Sequence, residues 1–168
     1  SAPEAGFVAS GVDVLLTGPI PTPAVAYLTK QLGADFGIVI SASHNPYYDN
    51  GIKFFDAEGA KLSDELEEAI EESLNHAPVT RDSQALGQAK TVDAARGEYM
   101  DFCRGTIPEG MTFRDLKIVV DASQGGAYKV APRLLSNLGA DVVPVGCSPN
   151  GRNINLDCGS THLDGLAR

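Results

Sequence analysis

Two stretches of this chain repeat the order strand, turn, helix and strand, and this order restricts the chain to an α/β fold. In the first, an apolar strand at 12–16 precedes a helix that begins near Thr22, and a second apolar strand follows at 36–41. In the other, strands at 116–120 and 141–145 flank a helix with one apolar face. A helical crossover usually joins parallel strands that are neighbours in one sheet. We therefore expect such a strand pair in both stretches.

The helix starts and the remaining elements follow from local signals. Thr22 is expected to be the N-cap of its helix, with Pro23 at the first helical position. The other expected elements are a strand at 52–55, a helix capped by Ser63 that ends near Asn75, a loop at 76–91 and a helix at 93–104. The expected fold class is α/β, with mixed sheets flanked by helices, in one incomplete domain followed by a partial second β-α-β unit.

The two stretches also predict that the chain is a piece of a longer protein. The first opens almost directly on a strand, and the second stops after one β-α-β unit, which cannot cover both faces of a stable sheet. We divide the chain into an α/β domain at 1–106, whose N-terminal strands are missing, and a partial second α/β domain at 107–168.

Composition narrows the choice of partner and compartment. The formal net charge is −9 and the sequence pI is about 4.7, so a nucleic-acid partner is not expected. No apolar run approaches the length that spans a membrane, and no membrane association is expected. The three cysteines are widely spaced and include no C-x-x-C pair, which favours neither a zinc site nor a disulfide framework. A reducing cytoplasm is the simplest compartment.

The end of the strand at 36–41 holds the strongest candidate for chemistry. Ser43 follows the strand and precedes His44, Asn45 and a proline, and a hydroxyl held at a strand end often carries covalent chemistry. A surface loop of ordinary turn-forming residues fits the pattern equally well, because no G-x-S-x-G elbow is present. Lys53 could return to the Ser43 hydroxyl after the intervening turn, although its pattern alone favours a solvated lysine at a strand edge. The turn at 121–126 is interpreted as structural, since it lacks a G-x-G-x-x-G run.

Taken together, the residues around Ser43 resemble a known family. The run at 37–55 closely resembles the phosphoserine loop of the α-D-phosphohexomutases, and the run at 18–24 is similar to that family as well. Residues 153–155 and 158–162 resemble the bacterial branch that acts on glucosamine phosphates. Relatives that act on mannose phosphates tend to carry a Pro-Asn-His-His-Pro run in that region, and this sequence has none. The resemblance covers nearly the whole chain.

The resemblance implies a reaction and a role for each candidate residue. Ser43 would carry a phosphoryl group and donate it to glucosamine 6-phosphate. The resulting hexose 1,6-bisphosphate would reorient and return its 6-phosphate to the serine, which leaves glucosamine 1-phosphate. Lys53 would aid proton transfer, while His44 and Asn45 would shape the loop around the phosphate. Mg²⁺ would bind one phosphate oxygen on Ser43.

The sequence also departs from the family in ways that limit this expectation. It contains neither the Asp-Gly-Asp-x-Asp-Arg run of the family's Mg²⁺ loop nor the N-terminal Gly-Thr-Asp-Gly-Ile-Arg run. The half of the domain at 107–168 that would carry the metal loop is therefore expected to be missing, and the chain alone is expected to be inactive. Unpaired sheet edges are expected to favour self-association or strand exchange. The alternatives are a relative that acts on glucose or mannose phosphates and a non-catalytic α/β binding module.

Overall fold

The computed structural model describes residues 1–167, in which helices and short strands alternate along the chain. The α-helices are α1 (Ala2–Ala9), α2 (Thr22–Gln31), α3 (Asp64–Ser73), α4 (Ala95–Gly105) and α5 (Ala131–Asn137). The strands are β1 (Val14–Leu16), β2 (Phe36–Ser41), β3 (Gly51–Asp56), β4 (Ala89–Thr91), β5 (Lys117–Asp121) and β6 (Asp141–Val145), and a 3₁₀ helix spans Leu163–Gly165. Helices thus flank small parallel and antiparallel sheets, which confirms the predicted mixed α/β class. No helix of this described part is long and apolar enough to cross a membrane.

The chain forms two compact units, each built from two separate segments. The first unit combines Ser1–Gly18 with Leu62–Ala94 and contains α1, β1, α3 and β4. The second unit combines Pro19–Lys61 with Ala95–Arg168 and contains the remaining elements. All of the candidate site residues named from the sequence belong to the second unit. The division of the chain near residue 106 stays a prediction.

In the first unit, β1 pairs in parallel with β4, with Val14 opposite Ala89. The expectation that β1 neighbours the strand at 36–41 was therefore wrong, and so was the expectation of a loop throughout 76–91. The three residues of β4 are all exposed, so no hydrophobic alternation marks the strand in the sequence. Long-range hydrogen bonds accompany the pairing instead: Val14 N donates to Gln88 O at 2.7 Å, and Gln88 N donates to the Asp13 carboxylate at 2.8 Å.

The first unit also begins with a helix that the sequence analysis missed. Helix α1 is eight residues long and none of its residues is buried. Its start is capped by the Ser1 hydroxyl, which accepts a hydrogen bond from Glu4 N at 3.4 Å. The helix lacks a distinct apolar face, and apolar periodicity is the signal from which helices are predicted.

In the second unit, β2 and β3 form an antiparallel hairpin that is covered on one face by α2. The register runs from Phe36 opposite Asp56 to Ser41 opposite Gly51, so the loop that holds Ser43 closes the hairpin. Helix α2 begins with Thr22 inside its first turn and Pro21 at the N-cap, one residue earlier than predicted. The predicted capping by Thr22 was wrong because the Thr22 backbone is already helical.

The packing of α2 on β2 is close. Leu28 of α2 is only 2% exposed, and Thr29 is also buried. Gly37 of β2 lies so near Thr29 that a Cβ at Gly37 would overlap the Thr29 hydroxyl oxygen and would come 3.2 Å from Cγ1 of Val25. This packing fixes the strand that leads into the Ser43 loop.

The second β-α-β stretch folds as the sequence predicted. β5 and β6 are parallel neighbours, with Lys117 opposite Asp141 and Asp121 opposite Val145. Helix α5 lies between them in the chain. Strand β5 therefore ends at Asp121, whose carboxylate takes part in the candidate active site.

Candidate active site

Ser43 lies two residues beyond the end of β2, in a left-handed backbone conformation with φ of 54°. This conformation costs a residue with a Cβ about 1–2 kcal/mol, so it persists only where its surroundings hold it. Ser43 N donates to the Ser41 hydroxyl oxygen at 3.0 Å, and Asn45 N donates to Ala42 O at 2.8 Å. These two hydrogen bonds form a tight turn around an exposed serine.

His44 is the side chain that contacts the Ser43 hydroxyl. The distance from Ser43 Oγ to His44 Nδ1 is 3.3 Å, and both residues are exposed. An imidazole nitrogen at this distance can accept a hydrogen bond from the hydroxyl in one tautomer and donate a hydrogen bond to its oxygen in the other. The pair therefore presents a hydroxyl that a phosphate group in solvent can approach.

Lys53 lies on β3 directly opposite Val39 of β2. Cross-strand partners project from the same face of a sheet, so Lys53 shares a face with Val39 and with Ser41, two residues further along β2. Lys53 is exposed, and within residues 1–167 no hydrogen bond or ion pair joins it to the Ser43 hydroxyl. The hairpin thus brings Lys53 to the strand that leads into the serine loop, and its role in proton transfer stays a prediction.

Asn155 connects the serine loop to a segment far away in the sequence. Its Nδ2 donates to Ser43 O at 2.9 Å and to Asn45 O at 2.8 Å. Since carbonyl oxygens accept and never donate, these two partners determine which end of the amide faces the loop. Asn155 belongs to the run at 153–155 that carries part of the family resemblance, but its contact with the serine loop was not predicted. No local pattern reveals a contact between residues 112 positions apart.

The segment that carries Asn155 is in turn anchored to the end of β5. Asn155 N donates to Ser123 O at 2.9 Å. The Asp121 carboxylate accepts from Ser123 N at 2.8 Å and from Gly159 N at 2.6 Å. These hydrogen bonds agree with the structural interpretation of the turn at 121–126. They also connect that turn to the segment that supports the Ser43 loop.

Two cysteines near this support are not poised as nucleophiles. Burial raises the pKa of the Cys158 thiol, and the carboxylates of Asp121 and Asp157 raise it further. Burial likewise raises the pKa of the Cys147 thiol. Because the thiolate is the reactive form, both residues are less nucleophilic at neutral pH than an ordinary cysteine.

The histidine, cysteine and carboxylate side chains decide whether this chain can hold a metal ion by itself. Among residues 1–167 there is no group of three or more histidine, cysteine, aspartate or glutamate side chains that could hold a metal ion. A phosphate on Ser43 would add oxygen ligands, but Mg²⁺ also requires protein carboxylates near it. The described residues therefore do not fit a Mg²⁺ site by themselves.

A groove of about 590 Å³ lies elsewhere in the second unit, along α4, α5 and β6. Its lining includes the cations of Arg96, Lys129 and Arg133, and Arg96 Nε is buried without a hydrogen-bond partner among the described residues. The Ser43 loop does not belong to its lining. The groove therefore lies apart from the exposed serine, whose hydroxyl contacts an imidazole and whose main-chain carbonyl accepts a hydrogen bond from the Asn155 amide.

Comparison with known proteins gives relatives for nearly the whole chain. A family model described as phosphoglucomutase/phosphomannomutase, alpha/beta/alpha domain I, matches residues 1–80. Phosphoglucosamine mutase of Delftia acidovorans is 55% identical over 166 residues, which is 99% of this chain and 37% of the relative. Phosphoglucosamine mutase of an Acidovorax species is 54% identical over 168 residues, which is 100% of this chain and 38% of the relative. The chain thus spans less than two fifths of the length of these curated relatives.

The fold is also similar to that of a solved structure. A phosphoglucomutase/phosphomannomutase family protein from Burkholderia thailandensis superimposes with a TM-score of 0.73 at 30% sequence identity. The match covers 89% of this chain and 33% of that protein.

Proposed function

This chain belongs to the phosphohexomutase superfamily, and on that premise we propose that it supplies the phosphoserine-bearing part of a phosphoglucosamine mutase. The observation that carries the proposal is the Ser43 loop. An exposed serine hydroxyl is held in a left-handed turn at a strand end, in contact with an imidazole nitrogen. The relatives at 54–55% identity match this chain over essentially its whole length.

In the proposed reaction, Ser43 is the group that gives up and recovers phosphate. The bond between phosphorus and Ser43 Oγ breaks while a bond forms to the 1-oxygen of glucosamine 6-phosphate. The proton of that sugar hydroxyl passes, in the net change, to Ser43 Oγ. The hexose 1,6-bisphosphate then presents its 6-phosphate, the serine recovers it, and glucosamine 1-phosphate leaves.

The chain's residues support this chemistry mainly through positioning. Phosphoryl transfer depends on alignment and on stabilisation of charge more than on covalent assistance. In our proposal His44 and Asn45 shape the loop around the phosphate, and Lys53 supplies positive charge and aids proton transfer. Asn45 is held by hydrogen bonds at both its N–H and its carbonyl, which supports a shaping role.

We further propose that the full-length protein uses Mg²⁺ and works in the cytoplasm. An Mg²⁺ ion would neutralise charge on the phosphate of Ser43 when bound. Because the described residues do not fit the ion by themselves, its carboxylate ligands would come from outside this chain. The same reasoning predicts that these 168 residues alone do not turn over substrate.

The test is a coupled assay of the full-length protein with glucosamine 6-phosphate, in the wild type and in Ser43→Ala. We expect Ser43→Ala to fall to the level of the reaction without enzyme, because no oxygen remains to carry the phosphoryl group. Ser73→Ala, which changes an exposed serine of α3, is the matched control and should keep wild-type turnover. Full activity in Ser43→Ala would rule the mechanism out.

The substrate preference has an explicit competitor. The Burkholderia thailandensis structure carries the name of the phosphoglucomutase/phosphomannomutase family at 30% identity, whereas the relatives above 50% identity are phosphoglucosamine mutases. We therefore expect glucosamine 6-phosphate to be turned over with a higher kcat/KM than glucose or mannose 6-phosphate. The reverse order would assign the chain to the sister activity. No turnover of any of the three would support a non-catalytic binding module.

A further inference from the structure

We propose that Asn155 is a positioning residue for phosphoryl transfer, which acts by holding the main chain of the Ser43 loop. The inference rests on the proposed function, because it concerns the same serine. It extends the site to a segment more than one hundred residues away, which within residues 1–167 makes no hydrogen bond to Ser43 Oγ.

The two contacts of Asn155 lie on either side of His44. One amide group donates to the carbonyl of Ser43 and to the carbonyl of Asn45, at 2.9 and 2.8 Å. Together they restrain the Ser43–His44 and Asn45–Pro46 peptide groups, which flank the residue whose imidazole contacts Ser43 Oγ. A left-handed serine relaxes towards commoner conformations unless it is restrained, and these hydrogen bonds oppose that relaxation.

Asn155 can restrain the loop because its own backbone is fixed. It also has a left-handed backbone, with φ of 58°, a conformation that asparagine tolerates better than most residues. Its N–H donates to Ser123 O, and the Asp121 carboxylate holds Ser123 N and Gly159 N. A continuous series of hydrogen bonds thus connects the end of β5 to the main chain of Ser43.

The restraint should affect the rate of chemistry more than the binding of substrate. Asn155 donates to main-chain carbonyls of the loop, and no hydrogen bond joins it to Ser43 Oγ among the described residues. Displacing a reacting atom by about 1 Å can lower the rate of the reaction by about 10²-fold. We therefore expect kcat to fall while KM for the sugar phosphate stays nearly constant.

Two substitutions at position 155 distinguish the effect of the side-chain amide from the effect of the backbone conformation. Asn155→Asp keeps the size of the side chain but places an acceptor against two carbonyl oxygens. Asn155→Gly removes the side chain at a φ that glycine adopts without strain. The control is Asn153→Ala in the same segment. The Asn153 side chain accepts from Asn150 N and donates to Ser148 O, and no hydrogen bond joins it to the serine loop in the described part of the chain.

The experiment compares these variants in the full-length protein by steady-state kinetics and by hydrogen exchange of the peptide that spans 41–51. We expect Asn155→Asp to lower kcat by about 10²-fold and Asn155→Gly by about 10-fold or more, with KM within about twofold. Exchange at 43–45 should become faster in both variants and stay unchanged in Asn153→Ala. Thermal unfolding identifies any variant that has lost its fold, and Asn155→Gly then carries the test.

Each remaining outcome would overturn either this inference alone or this inference together with the proposed function. Unchanged exchange at 43–45 in the Asn155 variants would overturn the inference. Faster exchange with wild-type kcat would overturn it too, since Asn155 would then be structural only. Either result leaves the proposed function standing. If the wild-type protein acquired no phosphoryl group on Ser43, the proposed function and this inference would both be overturned.

Discussion

At the scale of single residues, Ser43 depends on a hydrogen bond from a distant segment as well as on contacts from its own sequence neighbours. Its left-handed conformation is opposed by its Cβ and is held by Ser41 from one side and Asn155 from the other. His44 then contacts an oxygen whose position is already set by the main chain. The chemistry of the loop is local in sequence, while its geometry is not.

Gly159 provides a test of that distant support. A Cβ at Gly159 would overlap the Ser123 hydroxyl oxygen and lie 2.9 Å from the Ser123 Cβ, and φ at Gly159 is 84°. We expect Gly159→Ala to lower the free energy of unfolding by about 1–2 kcal/mol from φ strain and by about 1–3 kcal/mol more from the overlap.

Gly151→Ala is the matched control, because Gly151 has φ of 86° and the added Cβ would meet no atom of residues 1–167 within 4 Å. It should lose only the strain contribution. Chemical denaturation of both variants measures the difference. Equal losses in the two variants would mean that the contact between residues 123 and 159 is not as close as the structure has it.

The residues that could be predicted from the sequence are those inside one motif. Ser43, His44 and Asn45 were named as candidates because they follow a strand and resemble a specific loop. Asn155 and Asp121 could not be assigned their roles, because their hydrogen bonds to Ser43 and Gly159 join residues 112 and 38 positions apart, and no local pattern marks such contacts.

At the scale of elements, the serine loop is placed by the β2–β3 hairpin and by the helix that covers it. The two strands pair over six residues each, and Thr29 of α2 is buried close to Gly37 of β2. The apolar run at 36–41 predicted the strand, and its close approach to α2 explains why a glycine occurs within it.

Gly37→Ala tests this close approach. The added Cβ would overlap the Thr29 hydroxyl oxygen, so we expect the free energy of unfolding to fall by about 1–3 kcal/mol. Gly51→Ala, on the partner strand, meets only Ser41 O at 3.9 Å and should change stability by less than about 0.5 kcal/mol. Urea denaturation followed by circular dichroism compares them. A neutral Gly37→Ala would show that α2 is not packed tightly on β2.

The elements that the sequence failed to predict share a physical cause. Helix α1 buries none of its residues and β4 exposes all of its own, so neither carries the apolar periodicity on which prediction relies. By contrast, β5, α5 and β6 have apolar runs with clear ends and were predicted correctly. The pairing of β1 with β4 is long-range and leaves no local mark.

At the scale of the whole molecule, the described sheets have only two strands each and leave strand edges unpaired. Large apolar side chains are also exposed. Ile40 and Ile52, which are cross-strand partners on the hairpin, are 53% and 56% exposed. Such edges and apolar pairs favour association between chains.

We therefore expect this 168-residue chain to self-associate as its concentration rises. Ile40→Glu combined with Ile52→Lys should weaken the association, because it replaces the exposed apolar pair with charged side chains. Leu74→Glu, at an exposed position after α3, is the control for added charge. Sedimentation velocity over a concentration series measures the change. A monomer at every concentration would contradict this expectation.

The central claim is that Ser43 carries a phosphoryl group, and the mass of the protein tests it most directly. The full-length protein, first dephosphorylated, is incubated with glucosamine 1,6-bisphosphate and Mg²⁺ and then analysed by intact and peptide mass spectrometry. We predict that one phosphoryl group is gained at Ser43 in the wild type and that none is gained in Ser43→Ala. A wild-type protein that gains no phosphoryl group, or gains it at another residue, would contradict the account.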